Sequence, residues 1–327
     1  MDITCMKAKR LQLDAEVILL HFLFHRRLPL HADAHQPSKR RKKNFANLSQ
    51  CYDGYHDCPC SPSSYENENK ITIRNFSKQT AYHKLAIIVP FRDRFEELLD
   101  FVPYMGHYLN LQKVSHKIFV INQVDNFRFN RAALINVGYL ESKSECDYLA
   151  MHDVDLLPLN PNLSYAYPSK GPFHVAAPNL HPRYHYPKFV GGILLLTCDD
   201  FQKTRGLSNR YWGWGQEDDE FYVRMRKAGL NISRPQNITT GYKTFKHLHD
   251  SKKRRRDTSR FFNQHYISSH RDYETGFDTL AYEKVSQYDL SVNGSVAKVI
   301  NIRLSCDLSK TPWCLQKQDH NLAKPYL

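Results

Sequence analysis

The chain has 327 residues, with 46 Lys+Arg against 33 Asp+Glu and a formal charge of +13. Hydrophobic residues at 41% and aromatic residues at 13% exclude a wholly disordered chain, and the length suits one large domain or two ordinary ones. The charge nominates nucleic acid as a partner, but residues 83–250 carry only +3 and each flank +5, chiefly in Lys39–Lys43 and Lys252–Arg256. Runs of this kind are ordinarily solvated tails.

In chain order, residues 1–80 read as a weakly ordered basic leader, with almost nothing apolar between Cys58 and Lys70. Its most apolar stretch, Val17–Phe24, has eight residues, short of the ~20 that a spanning helix needs. Leu85–Val89 is a buried strand expected to stop at Pro90. Phe95, Leu98, Leu99, Val102 and Met105 then recur at helical spacing, with Pro103 leaving the helix end open. Lys117–Ile121 is a second strand, Ala132–Leu140 a second helix and Tyr148–Met151 a third strand. The alternation predicts an α/β fold with a mostly parallel sheet, and ligands in such sheets bind beyond the strands' carboxyl ends. A further strand follows at Val190–Leu196, then a Trp/Gly loop over Tyr211–Gln216. An acidic helix start spans Glu217–Glu220 with Gly229 as its stop, and Val296–Leu304 is a closing β segment.

The residues just after each strand are therefore the ones placed to carry chemistry. Asp153 and Asp155 make a hard, oxygen-rich site suited to Mg²⁺ or Mn²⁺; the plainer reading of Asp-x-Asp is a surface loop. His247 and His249 share a face if the backbone is extended, although 17 histidines make a chance His-x-His common. Mixed carboxylate and imidazole ligands point to Mn²⁺. Arg92, Arg94 and Arg131 suit a diphosphate, with ion pairing to Asp93 or Glu96 as the ordinary alternative for Arg94. Trp212-Gly213-Trp214-Gly215 suits a mobile loop that lays an indole on a sugar ring. The acids after it also complement a helix dipole. Tyr184, Tyr186 and Phe189 form either a core edge or an acceptor-binding wall.

Eight cysteines do not make a disulfide scaffold, and Cys51, Cys58 and Cys60 fall one ligand short of a zinc site. Cys306 and Cys314 close a short loop that a disulfide can bridge. Six sequons, at Asn47, Asn75, Asn162, Asn231, Asn237 and Asn293, favour a secretory lumen modestly.

Pro90-Phe91-Arg92-Asp93-Arg94, Phe129-Asn130-Arg131-Ala132, Asp153-Val154-Asp155 and Trp212-Gly-Trp-Gly-x-Glu-Asp-Asp219 together resemble the β-1,4-galactosyltransferase family. Residues 127–157, the Tyr-His-Tyr at 184–186 and the run 239–249 are most similar to its xylose-specific branch, since broader members carry a Met and a His in place of this His-x-His. The resemblance covers about residues 83–315, leaving 1–82 as leader or stem and 316–327 as tail. It implies a GT-A-type fold and inverting transfer of galactose from UDP-galactose to O4 of β-xylose on a proteoglycan core-protein serine, with Mn²⁺ as cofactor. Asp155, His247 and His249 would hold the metal. Phe91, Arg92, Arg94, Arg131 and Asp153 would line the UDP pocket. Trp214 would close over donor and acceptor, Glu217 would bind the donor galactose, and Tyr184, Tyr186 and Asp219 the xylose. Asp218 then falls as general base, in reach of the acceptor hydroxyl.

Two departures stand out. The family's members are type II Golgi membrane proteins, so a Golgi-lumen location and membrane association are implied, yet no stretch before residue 82 can span a bilayer. Phe189 stands where close relatives carry a tyrosine. Two alternatives stay open: an N-acetylglucosamine-terminated acceptor, or a non-catalytic polyanion-binding module using the two basic runs. The catalytic reading expects no nucleic-acid partner.

Overall fold

The computed structural model describes residues 82–326. The leader, with Lys39–Lys43, Cys51, Cys58, Cys60 and the sequons at Asn47 and Asn75, lies outside the described residues.

Two βα steps and a third strand build the frame. They are β1 (Leu85–Phe91), α1 (Phe95–Leu111), β2 (His116–Gln123), α2 (Arg131–Ser142) and β3 (Tyr148–His152). β1 and β3 are buried at every residue, as their unbroken apolar runs require. β4 (Leu156–Pro158), β5 (Phe173–His174), β6 (Ile193–Thr197), α3 (Cys198–Lys203), α4 (Glu217–Lys227), β7 (Phe245–His247) and α5 (Gln264–Ser269) follow. The hairpin β8 (Tyr282–Val292) and β9 (Ser295–Leu304) completes the sheet. The main sheet has seven strands in the order β5-β6-β3-β1-β2-β9-β8. β3, β1, β2 and β9 run parallel, while β6 and β8 run against them at the flanks. The sheet is thus the expected mostly parallel α/β arrangement.

Several boundaries differ from expectation. β1 runs through Pro90 to Phe91. Its ladder with β3 ends at Ile88, so on that flank a residue without an N–H gives up no strand bond. Pro103 lies inside α1 without ending it. β6 starts at Ile193, later than Val190, because Gly192 has φ +76° and breaks the extended run. α4 ends as expected: Gly229, at φ +74°, turns its N–H back to Arg226.

The core is continuous across the sheet. Ile88, Phe119 and Ile121 pack against Leu134, Ile135 and Val137 of α2 and against Phe201, Phe221 and Trp313, all fully buried or nearly so. Cys306 and Cys314 are disulfide-bonded. The 3-10 segment Lys317–Tyr326 closes on the same core through Ala323, which is fully buried. The four described sequon asparagines, Asn162, Asn231, Asn237 and Asn293, are all exposed.

Candidate active site

A cleft of about 680 Å³ opens beyond the carboxyl ends of β1 and β3. Its walls hold Arg92, Arg94, Arg131, Asp153, Asp155, Tyr184, Tyr186, Trp214, Glu217, Asp218, Asp219, His247 and His249. Of the residues singled out from the sequence for this cleft, Phe91 and Trp212 stand apart. Phe91 is 1% exposed, inside the core at the end of β1, and its neighbours Pro90 and Arg92 form the wall.

A second, two-stranded sheet brings the metal candidates together. β4 pairs antiparallel with β7 so that Leu156 lies opposite His247, and Leu248 N–H donates to the Asp155 carbonyl at 2.7 Å. His249 Nδ1 is 3.5 Å from Asp155 Oδ2, and the His247 and His249 rings are 5.8 Å apart. Burial pushes the His247 imidazole down to about 4, and His249 is lowered for the same first reason. Both imidazoles are therefore neutral near pH 7, with a lone pair free to bind a cation. Burial, reinforced by Asp153, lifts Asp155 to about 6 against the attraction of Arg94 and Arg256. A carboxylate with two neutral imidazoles is a donor set that fits Mn²⁺. Among the described residues no three such side chains are already gathered at one point.

The arginines divide. Arg131 is held by Asp153 (Nε–Oδ1 2.8 Å) and stands 3.8 Å from Glu217. Burial works against its charge, but Asp153, Glu217 and Asp218 outweigh burial and raise its pKa. Arg94 bonds Glu97 at 3.3 Å and reaches to 3.4 Å from His249. Arg92 lines the cleft, as expected, and also braces the neighbouring loop. Its guanidinium donates to the carbonyls of Gln123, Asp125 and Phe127 and to the Asp125 carboxylate. It fixes the loop after β2, whose carbonyls form a ready-made acceptor cage at the end of that strand.

The paired tryptophans also divide. Trp212 is 3% exposed and packs edge-on against Phe127, so it is core and cannot stack on a ligand. Trp214 is 42% exposed and faces the cleft, 6.4 Å from the Tyr184 ring. Gly213 between them has φ +85° and no space for a Cβ, since Arg128 and the Asp257 carbonyl close over it. The two indoles are thereby sent to opposite sides.

The acids of α4 enter behind Gln216, whose left-handed backbone (φ 76°) starts the helix at the cleft floor. Burial, with the charges of Glu217 and Asp219, lifts Asp218 to about 8. Glu217 is raised mainly by burial, and its Oε2 is buried without a partner. Burial also raises Asp219, against a hydrogen bond donated by Tyr186 and the charge of Lys188. Gly191 makes room for Asp218, because a Cβ there would lie 2.7 Å from Asp218 Oδ2. Phe189, 4% exposed, is ringed by His174, His181, Tyr184 and Tyr186. The aromatic cluster is thus both a core edge and a cleft wall.

Three features went unread in the sequence. His181 Nδ1 accepts from the backbone N–H groups of Arg183 and Tyr184, both at 3.0 Å, and so shapes the Tyr184–Tyr186 turn. Arg128, 1% exposed, bonds Asp257 (2.6 Å), Gln264 (2.9 Å), and the carbonyls of Ser259 (2.7 Å) and Trp313 (3.0 Å). The run Lys252–Arg256, expected as a solvated flank, in fact supplies Lys253, Arg254, Arg255 and Arg256 to the cleft wall. Long-range ties to Glu97 and Trp214 hold it there.

Two family models match, one described as the N-terminal region of glycosyl transferase group 7 over residues 68–168, the other as the N-terminal domain of galactosyltransferase over 171–248. The human β-1,4-galactosyltransferase 7 is 58% identical over 232 residues, covering 71% of each chain. A Caenorhabditis elegans protein named xylosylprotein 4-beta-galactosyltransferase is 48% identical over 241 residues, 72% of this chain and 83% of that one. A solved Drosophila β-1,4-galactosyltransferase 7 mutant, in complex with manganese, UDP-Gal and xylobiose, aligns with a TM-score of 0.70 at 55% identity. That alignment covers 71% of this chain and 99% of that one. The chain belongs to the β-1,4-galactosyltransferase family.

Proposed function

We propose that the cleft transfers galactose from UDP-galactose to O4 of a β-xylose on a core-protein serine, with inversion at the anomeric carbon. The catalytic unit is residues 83–315, with 317–326 closed against it. The observation that carries the reading is the meeting in one cleft of Asp155, His247 and His249 with Asp218 across Trp214.

Asp155, His247 and His249 would hold Mn²⁺. When bound, the ion supplies Lewis-acid charge at the diphosphate. Arg94 and Arg131 bring guanidinium donors to the same negative charge. Glu217, with its unpartnered Oε2, accepts from a hydroxyl of the donor galactose. Trp214 covers the sugars and excludes water, while Tyr184, Tyr186 and Asp219 seat the xylose.

Asp218 takes the proton from the acceptor O4 as that oxygen bonds to the galactose anomeric carbon. The bond from that carbon to the UDP oxygen breaks on the opposite face, and UDP leaves with the electron pair. A carboxylate lifted to about 8 is a stronger base than an exposed aspartate, and Arg131 nearby keeps an ionised fraction available at neutral pH.

Work in the Golgi lumen follows for an enzyme with this acceptor; among the described residues no helix is long and apolar enough to cross a membrane. The deciding assay incubates the protein with UDP-galactose and a small β-xyloside, with and without Mn²⁺. Metal-dependent galactosyl-xyloside is the expected product. Faster turnover of an N-acetylglucosaminide, or none of the xyloside, would overturn the assignment.

A further inference from the structure

The strap of residues 252–260 crosses the cleft mouth and is tied down at both ends. At one end Lys253 stands 3.7 Å from Glu96, and Arg254 grips Glu97 of α1 with two bonds of 2.9 and 3.2 Å. At the other, the Asp257 carbonyl accepts from Trp214 N–H at 2.7 Å and Arg260 donates to the Trp214 carbonyl at 3.1 Å. Between the ties, the Arg256 guanidinium lies 5.0 Å from the Trp214 ring and 5.6 Å from Tyr184. The strap's charge therefore reaches the acceptor wall.

Most of that charge is not neutralised inside the protein. Arg255 is exposed on the cleft rim and Lys252 is exposed beside it, and neither has a carboxylate partner among the described residues. Among the described residues Arg260 bonds only carbonyls. A cationic rim that α1 and the Trp214 loop hold in place attracts negative charge on whatever chain emerges from the acceptor pocket.

Resting on the galactosyltransferase reading, we propose that this strap is an acceptor subsite for acidic residues flanking the xylosylated serine. The enzyme then reads the peptide as well as the sugar. Lys252 and Arg255 supply the unpaired charges, and neither belongs to the machinery that acts on the sugar.

The test compares three acceptors at fixed UDP-galactose and Mn²⁺: a small β-xyloside, a xylosylated peptide with Asp and Glu flanks, and the same peptide with Asn and Gln flanks. The intact enzyme should show the lowest KM for the acidic peptide, and that advantage should shrink as salt rises. The double variant Lys252→Ala, Arg255→Ala should raise the acidic-peptide KM about tenfold at unchanged kcat. It should leave both other acceptors and the thermal midpoint unaltered. Equal KM for acidic and neutral peptides in the intact enzyme would overturn the proposal. So would an equal loss on all three acceptors, or a rise confined to the KM of UDP-galactose, which would make the strap a donor contact. Turnover of the small xyloside reports separately on the reaction itself.

Discussion

Gly191 offers a test of where Asp218 sits that leaves the carboxylate intact. A Cβ at residue 191 would lie 2.7 Å from Asp218 Oδ2 and 2.6 Å from Phe189 Cε2. Ordinary contact begins at 3.4 Å, so in Gly191→Ala the oxygen must retreat by about 0.7 Å. General-base transfer needs hydrogen-bond reach to the acceptor hydroxyl, and a displacement near 1 Å costs up to roughly 10²-fold. We expect kcat to fall about 10–100-fold, the folded state to lose about 1–3 kcal/mol from overpacking, and UDP affinity to persist. Because a displaced carboxylate gains water, the acid limb of the pH–rate profile should also move below the intact enzyme's value. The measurements are kcat on a β-xyloside across pH, calorimetric UDP binding and thermal unfolding. An alanine variant with the intact kcat and an unmoved acid limb would refute the placement of Asp218 as the base.

Asp218→Asn should lose transfer, keep UDP binding and gain stability relative to the intact enzyme as pH rises. The folded carboxylate is lifted from 3.8 to about 8, so its favourable contribution is complete below about 4 and is lost through about 8. Melting curves at pH 4 and pH 9 check the sign: a gap that narrows with pH would be the wrong outcome. For the intact enzyme, kcat/KM should rise with pH up to about 8 as that group ionises. Replacing His247 and His249 together with alanine should remove Mn²⁺ binding measured by calorimetry, and unchanged metal affinity would discard the ligand set. Arg128→Ala should cost about 3 kcal/mol, the low end for a broken buried ion pair, because its partner Asp257 is 39% exposed and can be rehydrated. A chemical-denaturation difference under about 1 kcal/mol would show that the clamp is not structural.

The first three strands were legible because each contains an unbroken apolar run that gives way to polar or charged residues, a pattern that burial on both faces imposes. β8 was not. It is a flank strand whose burial alternates with exposure, so no apolar run announces it. A short signal did exist, since Asn293 and Gly294, at φ 48° and 81°, form the two-residue turn that joins it to β9. Asp155, His247 and His249 were found by residue type and resemblance. Their meeting depends on the pairing of Leu156 with His247, far along the chain, which spacing cannot reveal. The Trp212/Trp214 division was likewise unreadable, because it rests on Arg128 lying over Gly213. The bracing bonds of Arg92 could not be read either, since they go to carbonyls more than thirty positions away. Charge counting misjudged Lys252–Arg256 for the same reason: the run is solvated unless Glu97 and Trp214 are known to be its neighbours.

The β4–β7 ladder has only three paired positions. A segment fastened by so few bonds opens easily in local fluctuations, and with it goes the approach of His247 and His249 to Asp155. With Asp155, His247 and His249 proposed as the holders of the ion, its release and the local melting of 245–249 would be one event seen from two sides. Amide exchange at Leu248, whose N–H bonds the Asp155 carbonyl, should slow in proportion to Mn²⁺ occupancy while β1 stays unchanged. Exchange at that single amide thus becomes a gauge of cofactor loading that needs no turnover.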